Sequence, residues 1–395
     1  MFVKIFLFVF SGSIVYSLFK IHPDFGLNAK QLIENYRYPF ENHTVTTEDG
    51  YILELHRIPH GKGEVNCHNI TGPPVLIVPG THSTSADWVN MGKNSLGFIL
   101  ADRGYDVWLA NYRGTTWSRK HIRLDPDVHK KEFWDYSFQD IGSYDLPAFI
   151  DYILRVTKHE RLFYIGHSQG TLSFFILTSD KPEYNAKIRL MVALGPVAYF
   201  NNARSLIIRF LAAFENEVQA FVDKYQFYEI LPYTSLMRMV AQTFCNDYSL
   251  FQSICTFAFY ILAGYSPNQF NKTMIPVILS NSPASSSFKH WRHAAQMRLA
   301  DTMLKYNYGT EENLKRYSQS TPPEYNLTKI TTPVAFYYGE YDLFCSKEDV
   351  DMAAAKIPNV LVNKCIPEFN HVDLLWGVDV VKLIFSEILD LMMQY

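Results

Sequence analysis

Alternating and unbroken apolar stretches divide this chain into elements. From Thr44 to Leu55, β-forming residues alternate with polar ones around Asp49-Gly50, the dipeptide best suited to a tight reversal, and this predicts an antiparallel hairpin near the start of the folded chain. The runs Pro74-Val75-Leu76-Ile77-Val78-Pro79, Tyr105-Asp106-Val107-Trp108-Leu109-Ala110, Leu162-Phe163-Tyr164-Ile165 and Leu190-Met191-Val192-Ala193-Leu194 do not alternate. Strands covered on both faces, as in a parallel sheet, read this way. Helical periodicity lies between them, for instance from Asp145, an expected N-cap, through Pro147 in the first turn to Leu154. Further strands are expected at Pro333–Tyr338 and near Val360–Val362, and a closing helix from Val378 to Met393. The fold class is therefore α/β: a mostly parallel sheet with an N-terminal antiparallel hairpin.

The regular exchange of strand and helix stops at Tyr199. Up to about Asn307 the chain is helical and aromatic-rich, as in Leu206-Ile207-Ile208-Arg209-Phe210 and Val218-Gln219-Ala220-Phe221-Val222. A segment that long between two halves of one sheet cannot be a loop, so it is expected to pack as a cap of its own. The expected division is a signal peptide at 1–17, core at 18–198, cap at 199–307 and core again at 308–395.

Composition narrows the setting. Lys and Arg total 36 against 39 Asp and Glu, a net charge of −3, and no basic run could track a phosphate backbone, which excludes nucleic acid as a partner. Lys4 precedes the apolar stretch Ile5–Phe10, with Val15 and Ser17 offering small or β-branched residues for cleavage: a secretory signal. The competing reading, a membrane anchor, is opposed by the break at Ser11-Gly12-Ser13, and no later segment is long enough to span a bilayer, so no integral membrane segment is expected once the signal is removed. Sequons at Asn42, Asn69, Asn271 and Asn326 agree with passage through the secretory pathway. Of five cysteines, Cys245 and Cys255 fall inside the cap and are expected to close a short disulfide loop in an oxidising compartment. Whether Cys345 and Cys365 pair is open; if they do, Cys67 is the odd thiol.

The chemistry centres on Gly166-His167-Ser168-Gln169-Gly170, which has the form G-x-S-x-G between an apolar strand and a helical run. Such a turn is too tight for side chains two residues either side of the serine, and it lifts the serine oxygen above the sheet at a helix N-terminus. In the fold built on such an elbow, an acid and then a histidine follow in the chain. Asp342, in Gly339-Glu340-Tyr341-Asp342 after the strand at 334–338, is the expected acid, with Glu340 and Asp373 as rival carboxylates. His371, in the loop after the last strand, is the expected general base. Serine attack on an ester carbonyl would give an acyl-enzyme, and its oxyanion would be met by the backbone N–H groups of Gln169 and Thr81. His167 and His82 read as shaping residues. No spacing suggests a metal ligand set, and an epoxide or haloalkane hydrolase would need aspartate where Ser168 stands.

With these residues assembled, the chain resembles the acid lipase family. The resemblance runs from about Pro39 to Gly377 through Thr47-Glu48-Asp49-Gly50-Tyr51-Ile52-Leu53, Asp140-Ile141-Gly142-Ser143-Tyr144-Asp145-Leu146-Pro147, the serine elbow, Gly339-Glu340-Tyr341-Asp342 and Asn370-His371-Val372-Asp373. It implies an α/β-hydrolase core, a helical cap over the site, and hydrolysis of triacylglycerols or steryl esters at a lipid–water interface without a cofactor, in a secreted or lysosomal enzyme. Ser168, Asp342 and His371 match its triad by position. The family's His-Gly-Leu is here Pro79-Gly80-Thr81, which leaves a backbone donor in place and makes the entrance to the acyl pocket more polar. A small-ester carboxylesterase and a catalytically silent lipid-binding protein are the competing readings.

Overall fold

The computed structural model describes residues 22–62, 72–232, 239, 243–246 and 249–395. The expected signal peptide, the sequon at Asn69 and Cys67 lie outside these residues. Ten strands are described: β1 (Glu41–Thr46), β2 (Ile52–Ile58), β3 (Pro74–Val78), β4 (Asp106–Asn111), β5 (Leu162–His167), β6 (Ile188–Leu194), β7 (Glu229–Ile230), β8 (Ser286–Ser287), β9 (Val334–Gly339) and β10 (Val360–Ile366). Eight of them form one sheet in the order β1-β2-β4-β3-β5-β6-β9-β10. The hairpin β1–β2 and the pair β2–β4 are antiparallel, and every neighbour from β4 to β10 is parallel.

β3, β4, β5, β6 and β9 are buried along their whole length apart from Arg189, which is why their sequences carry no alternation. Two apolar layers result. One contains Leu76, Trp108, Tyr164, Phe174 and Phe336, and the other contains Ile77, Val107, Ile165, Val192 and Tyr337. β3 lies between β4 and β5, so the chain leaves it first to one side and then to the other. The crevice at the carboxyl ends of β3 and β5 is the switch point where open α/β sheets place their sites.

Asp145 does not cap a helix. The backbone is already helical there, as a π-turn over Ile141–Asp145 that runs into the helix Leu146–Thr157, and the Asp145 side chain makes no capping bond. Its carboxylate is taken by Arg113, whose backbone N–H and Nε donate to it at 2.9 and 2.7 Å. The remaining guanidinium nitrogens reach Asp49 in the β1–β2 turn at 2.6 and 2.9 Å. A fully buried arginine needs paired charge more than the helix needs a cap.

Between β6 and β9 the chain forms the helices Leu206–Ala213, Glu215–Tyr225, Gln252–Ala263 and Phe288–Ala300, with the short ladder β7–β8 as its only strands among the described residues. Cys245 and Cys255 are joined in a disulfide in this region. Cys345 and Cys365 are free thiols.

Candidate active site

Ser168 has φ +51° and ψ −112°, a region that L-residues rarely occupy, directly between β5 and the helix Gln169–Asp180. The flanking glycines are required by contact. A Cβ on Gly166 would lie 2.8 Å from the Gly170 carbonyl carbon, and one on Gly170 would lie 2.5 Å from the Val78 carbonyl oxygen. The Ser168 N–H donates to the Leu194 carbonyl at 2.9 Å, which ties the turn to β6.

β9 ends at Gly339, and three residues on stands Asp342, with no exposed surface. Its Oδ1 accepts the backbone N–H groups of Phe344 and Cys345 at 2.7 and 3.0 Å, and its Oδ2 faces His371 Nδ1 at 2.7 Å. The carboxylate is thus locked from one side and aimed from the other. Of the two rival carboxylates, Glu340 is exposed and accepts the Glu368 N–H, while Asp373 holds the Asn370 N–H at the base of the histidine loop. Asp373 is buried, and desolvation raises its pKa to about 6. Neither of them reaches the imidazole.

His371 is held at its own main chain by two contacts: its N–H donates to the Ala263 carbonyl, and its carbonyl accepts His167 Nε2–H at 3.0 Å. Asn370 donates to the Gly264 carbonyl and to Ser266, both at 2.8 Å, which fastens the same loop to the segment after the helix Gln252–Ala263. His167 is neutral, because burial lowers its pKa to about 3. Ser168 Oγ and His371 Nε2 make no hydrogen bond among the described residues; such contacts often close only around substrate. Ser168, Asp342 and His371 therefore come from the ends of β5, β9 and β10, three strands on one side of the switch point.

The loop after β3 passes directly over the serine turn. A Cβ on Gly80 would lie 3.2 Å from Ser168 Cβ, and Tyr112 Oη pins the Gly80 carbonyl at 2.6 Å. Thr81 then meets Gln169 side chain to side chain, Oγ1 donating to Oε1 at 2.8 Å. His82 follows with φ +62°, its Nδ1–H donating to the Ala284 carbonyl and its Nε2 accepting from Trp291 Nε1–H at 3.0 Å. Desolvation lowers His82 to about 4, which keeps Nε2 free to accept. Both histidines that the sequence marked as shaping residues thus hold a loop in place.

Two contributors were not visible in the sequence. Trp291, on the helix Phe288–Ala300, is one aromatic among many; Arg113 sits in a post-strand loop whose partners are 32 and 64 residues away. The Arg-Gly after β4 was the only signal for the second, and nothing distinguished the first.

This sheet, with its serine turn at the switch point, is that of the α/β hydrolases. A family described as alpha/beta hydrolase fold matches residues 73–378, and one described as partial alpha/beta-hydrolase lipase region matches residues 29–92. The chain is 38% identical to gastric triacylglycerol lipase of Bos taurus over 380 residues, covering 94% of this chain and 93% of that one. It is 37% identical to lipase member K of Homo sapiens, covering 95% and 92%, and 38% identical to lipase 1 of Drosophila melanogaster, covering 94% and 81%. A solved structure from Sulfolobus solfataricus superposes with a TM-score of 0.56 at 17% identity, over 87% of this chain and 90% of that one, and shows the fold alone. The chain belongs to the α/β-hydrolase lipases and is a carboxylic ester hydrolase.

Proposed function

We propose that Ser168 is the nucleophile, His371 the general base and Asp342 the residue that orients it, in an enzyme that cleaves neutral lipid esters, triacylglycerols or steryl esters, through an acyl-enzyme. The observation that carries this reading is the 2.7 Å contact between His371 Nδ1 and the locked Asp342 carboxylate, with the strained Ser168 at the adjoining strand end. Asp342 accepts a hydrogen bond from Nδ1–H and so holds the neutral imidazole's single proton there, which leaves Nε2 bare to take the proton of Ser168 Oγ. The alkoxide adds to the ester carbonyl, the alcohol leaves with the proton from His371, and water repeats the sequence on the acyl-enzyme. The N–H groups of Thr81 and Gln169 receive the oxyanion; among the described residues neither has another acceptor.

The segment from Tyr199 to about Asn307 acts as the cap, and its exposed side chains support docking at a lipid–water interface. Leu206 and Phe210 are 63% and 56% exposed, and Phe221, Tyr225, Phe227, Ile254, Phe257 and Leu262 also face solvent. A few hundred Å² of such surface is worth several kcal/mol, at about 25 cal/mol per Å², when covered by lipid. A secreted or lysosomal setting fits the disulfide and the exposed sequons Asn42 and Asn326. The test is Ser168→Ala: hydrolysis of soluble and emulsified esters, and labelling by a fluorophosphonate, should both vanish while the thermal transition persists. Label persisting on another residue removes the assignment. A panel of short and long esters separates a lipase from a small-ester carboxylesterase by which chain length gives the higher kcat/KM.

A further inference from the structure

The third residue of the loop after β3 brings more to the serine than a backbone N–H. Thr81 carries a hydroxyl on the side of the loop that meets Gln169, and these are the two residues whose N–H groups are read above as oxyanion donors. At present that hydroxyl donates to Gln169 Oε1 at 2.8 Å. The other end of the same amide, Gln169 Nε2, is buried and has no partner among the described residues. An amide turned end for end occupies the same space. Turned, Nε2–H donates to Thr81 Oγ1 and one hydrogen bond replaces another, while the hydroxyl hydrogen is released from Oε1. Gln169 cannot drift away during the exchange, because it is the first residue of its helix and is 3% exposed.

We propose that the Thr81 hydroxyl is a third hydrogen-bond donor to the oxyanion, held towards it by the Gln169 side chain. The inference rests on the reading of Ser168 as nucleophile. The Gly80 backbone lies against Ser168, so the residue after it stands at the rim of the serine turn. A hydroxyl resting on a neutral amide oxygen in the free enzyme gains a stronger, charge-assisted bond once the carbonyl oxygen becomes an anion. That difference exists only in the tetrahedral state, so it acts on kcat and leaves KM alone. No proton is transferred from Thr81; it donates a hydrogen bond and keeps its hydrogen. A leucine at this position, as the acid lipase pattern has it, supplies no such donor.

The experiment compares Thr81→Val, which keeps the branched shape, with Thr81→Ser, which keeps the hydroxyl, on a soluble short-chain ester and with a trifluoromethyl ketone that forms a tetrahedral adduct. Thr81→Val should lower kcat about a hundredfold with KM within about twofold, and should weaken the ketone by a similar factor. Thr81→Ser should stay within about threefold of the parent on both measures. If the valine variant has no cooperative thermal transition, Thr81→Ala against Thr81→Ser carries the same comparison. A kcat within about threefold of the parent for Thr81→Val or Thr81→Ala, or a loss confined to KM, overturns the proposal. Hydrolysis surviving in Ser168→Ala would instead overturn the assignment of the nucleophile, so the two failures are distinguishable.

Discussion

Asp342→Asn changes one atom and should silence the enzyme without unfolding it. Asp342 Oδ1 accepts two backbone N–H groups, from Phe344 at 2.7 Å and from Cys345 at 3.0 Å. An asparagine must therefore keep its oxygen on that side, since an NH₂ there would face two donors. Its NH₂ then points at His371 Nδ1, 2.7 Å from the replaced oxygen, and a donor at that distance requires Nδ1 to be the acceptor. The imidazole proton moves to Nε2, the nitrogen that receives the proton of Ser168 in the proposed mechanism. A serine triad in the wrong tautomer loses about 10⁴ in kcat, a barrier increase of about 5.5 kcal/mol. Because both backbone bonds survive, the melting temperature should fall by only a few degrees. The assay is kcat on a soluble short-chain p-nitrophenyl ester at neutral pH, alongside thermal melting. A kcat within tenfold of the parent would refute the reasoning, as would a larger loss from Glu340→Gln or Asp373→Asn than from Asp342→Asn.

Replacing both Cys245 and Cys255 by serine removes a cross-link between positions 10 apart. This should destabilise the segment around it by about 2–3 kcal/mol, seen as faster proteolysis between Phe244 and Phe270 at an unchanged rate elsewhere, and equal cleavage rates would dismiss the staple. His293 is fully buried, donates Nε2–H to the Leu304 carbonyl at 2.9 Å, and has its pKa lowered by desolvation to about 3. The unfolded chain takes up a proton at this residue below pH 6.5 while the native one does not, so its contribution is lost as pH falls. His293→Gln keeps a donor for Leu304 and removes the titration. Relative to the value at pH 8, the parent should lose about 2–3 kcal/mol more than the variant on going to pH 4.5 in denaturant titrations. Parallel stability–pH curves would contradict this.

Local pattern determined a large part of this protein. The hairpin, the five strands buried on both faces and the serine turn each have a signature a few residues long, because burial on both faces, reversal at Asp49-Gly50 and the close approach of Gly170 to Val78 constrain neighbouring residues directly. The order of Ser168, Asp342 and His371 was legible for the same reason: each follows a strand, and parallel strands bring their ends to one edge. Which carboxylate meets the imidazole is decided only by tertiary structure. Glu340, Asp342 and Asp373 all sit beside the expected edge, and the backbone after β9 turns Asp342 alone towards the imidazole. Asp145 carried the local marks of an N-cap and became the partner of a buried arginine, since the cost of an unpaired guanidinium exceeds that of a missing cap. The bond from Trp291 to His82 joins residues 209 positions apart. Spacing along a chain encodes which face a side chain takes, and a contact at that separation exists only once the sheet and the segment after β6 have packed together.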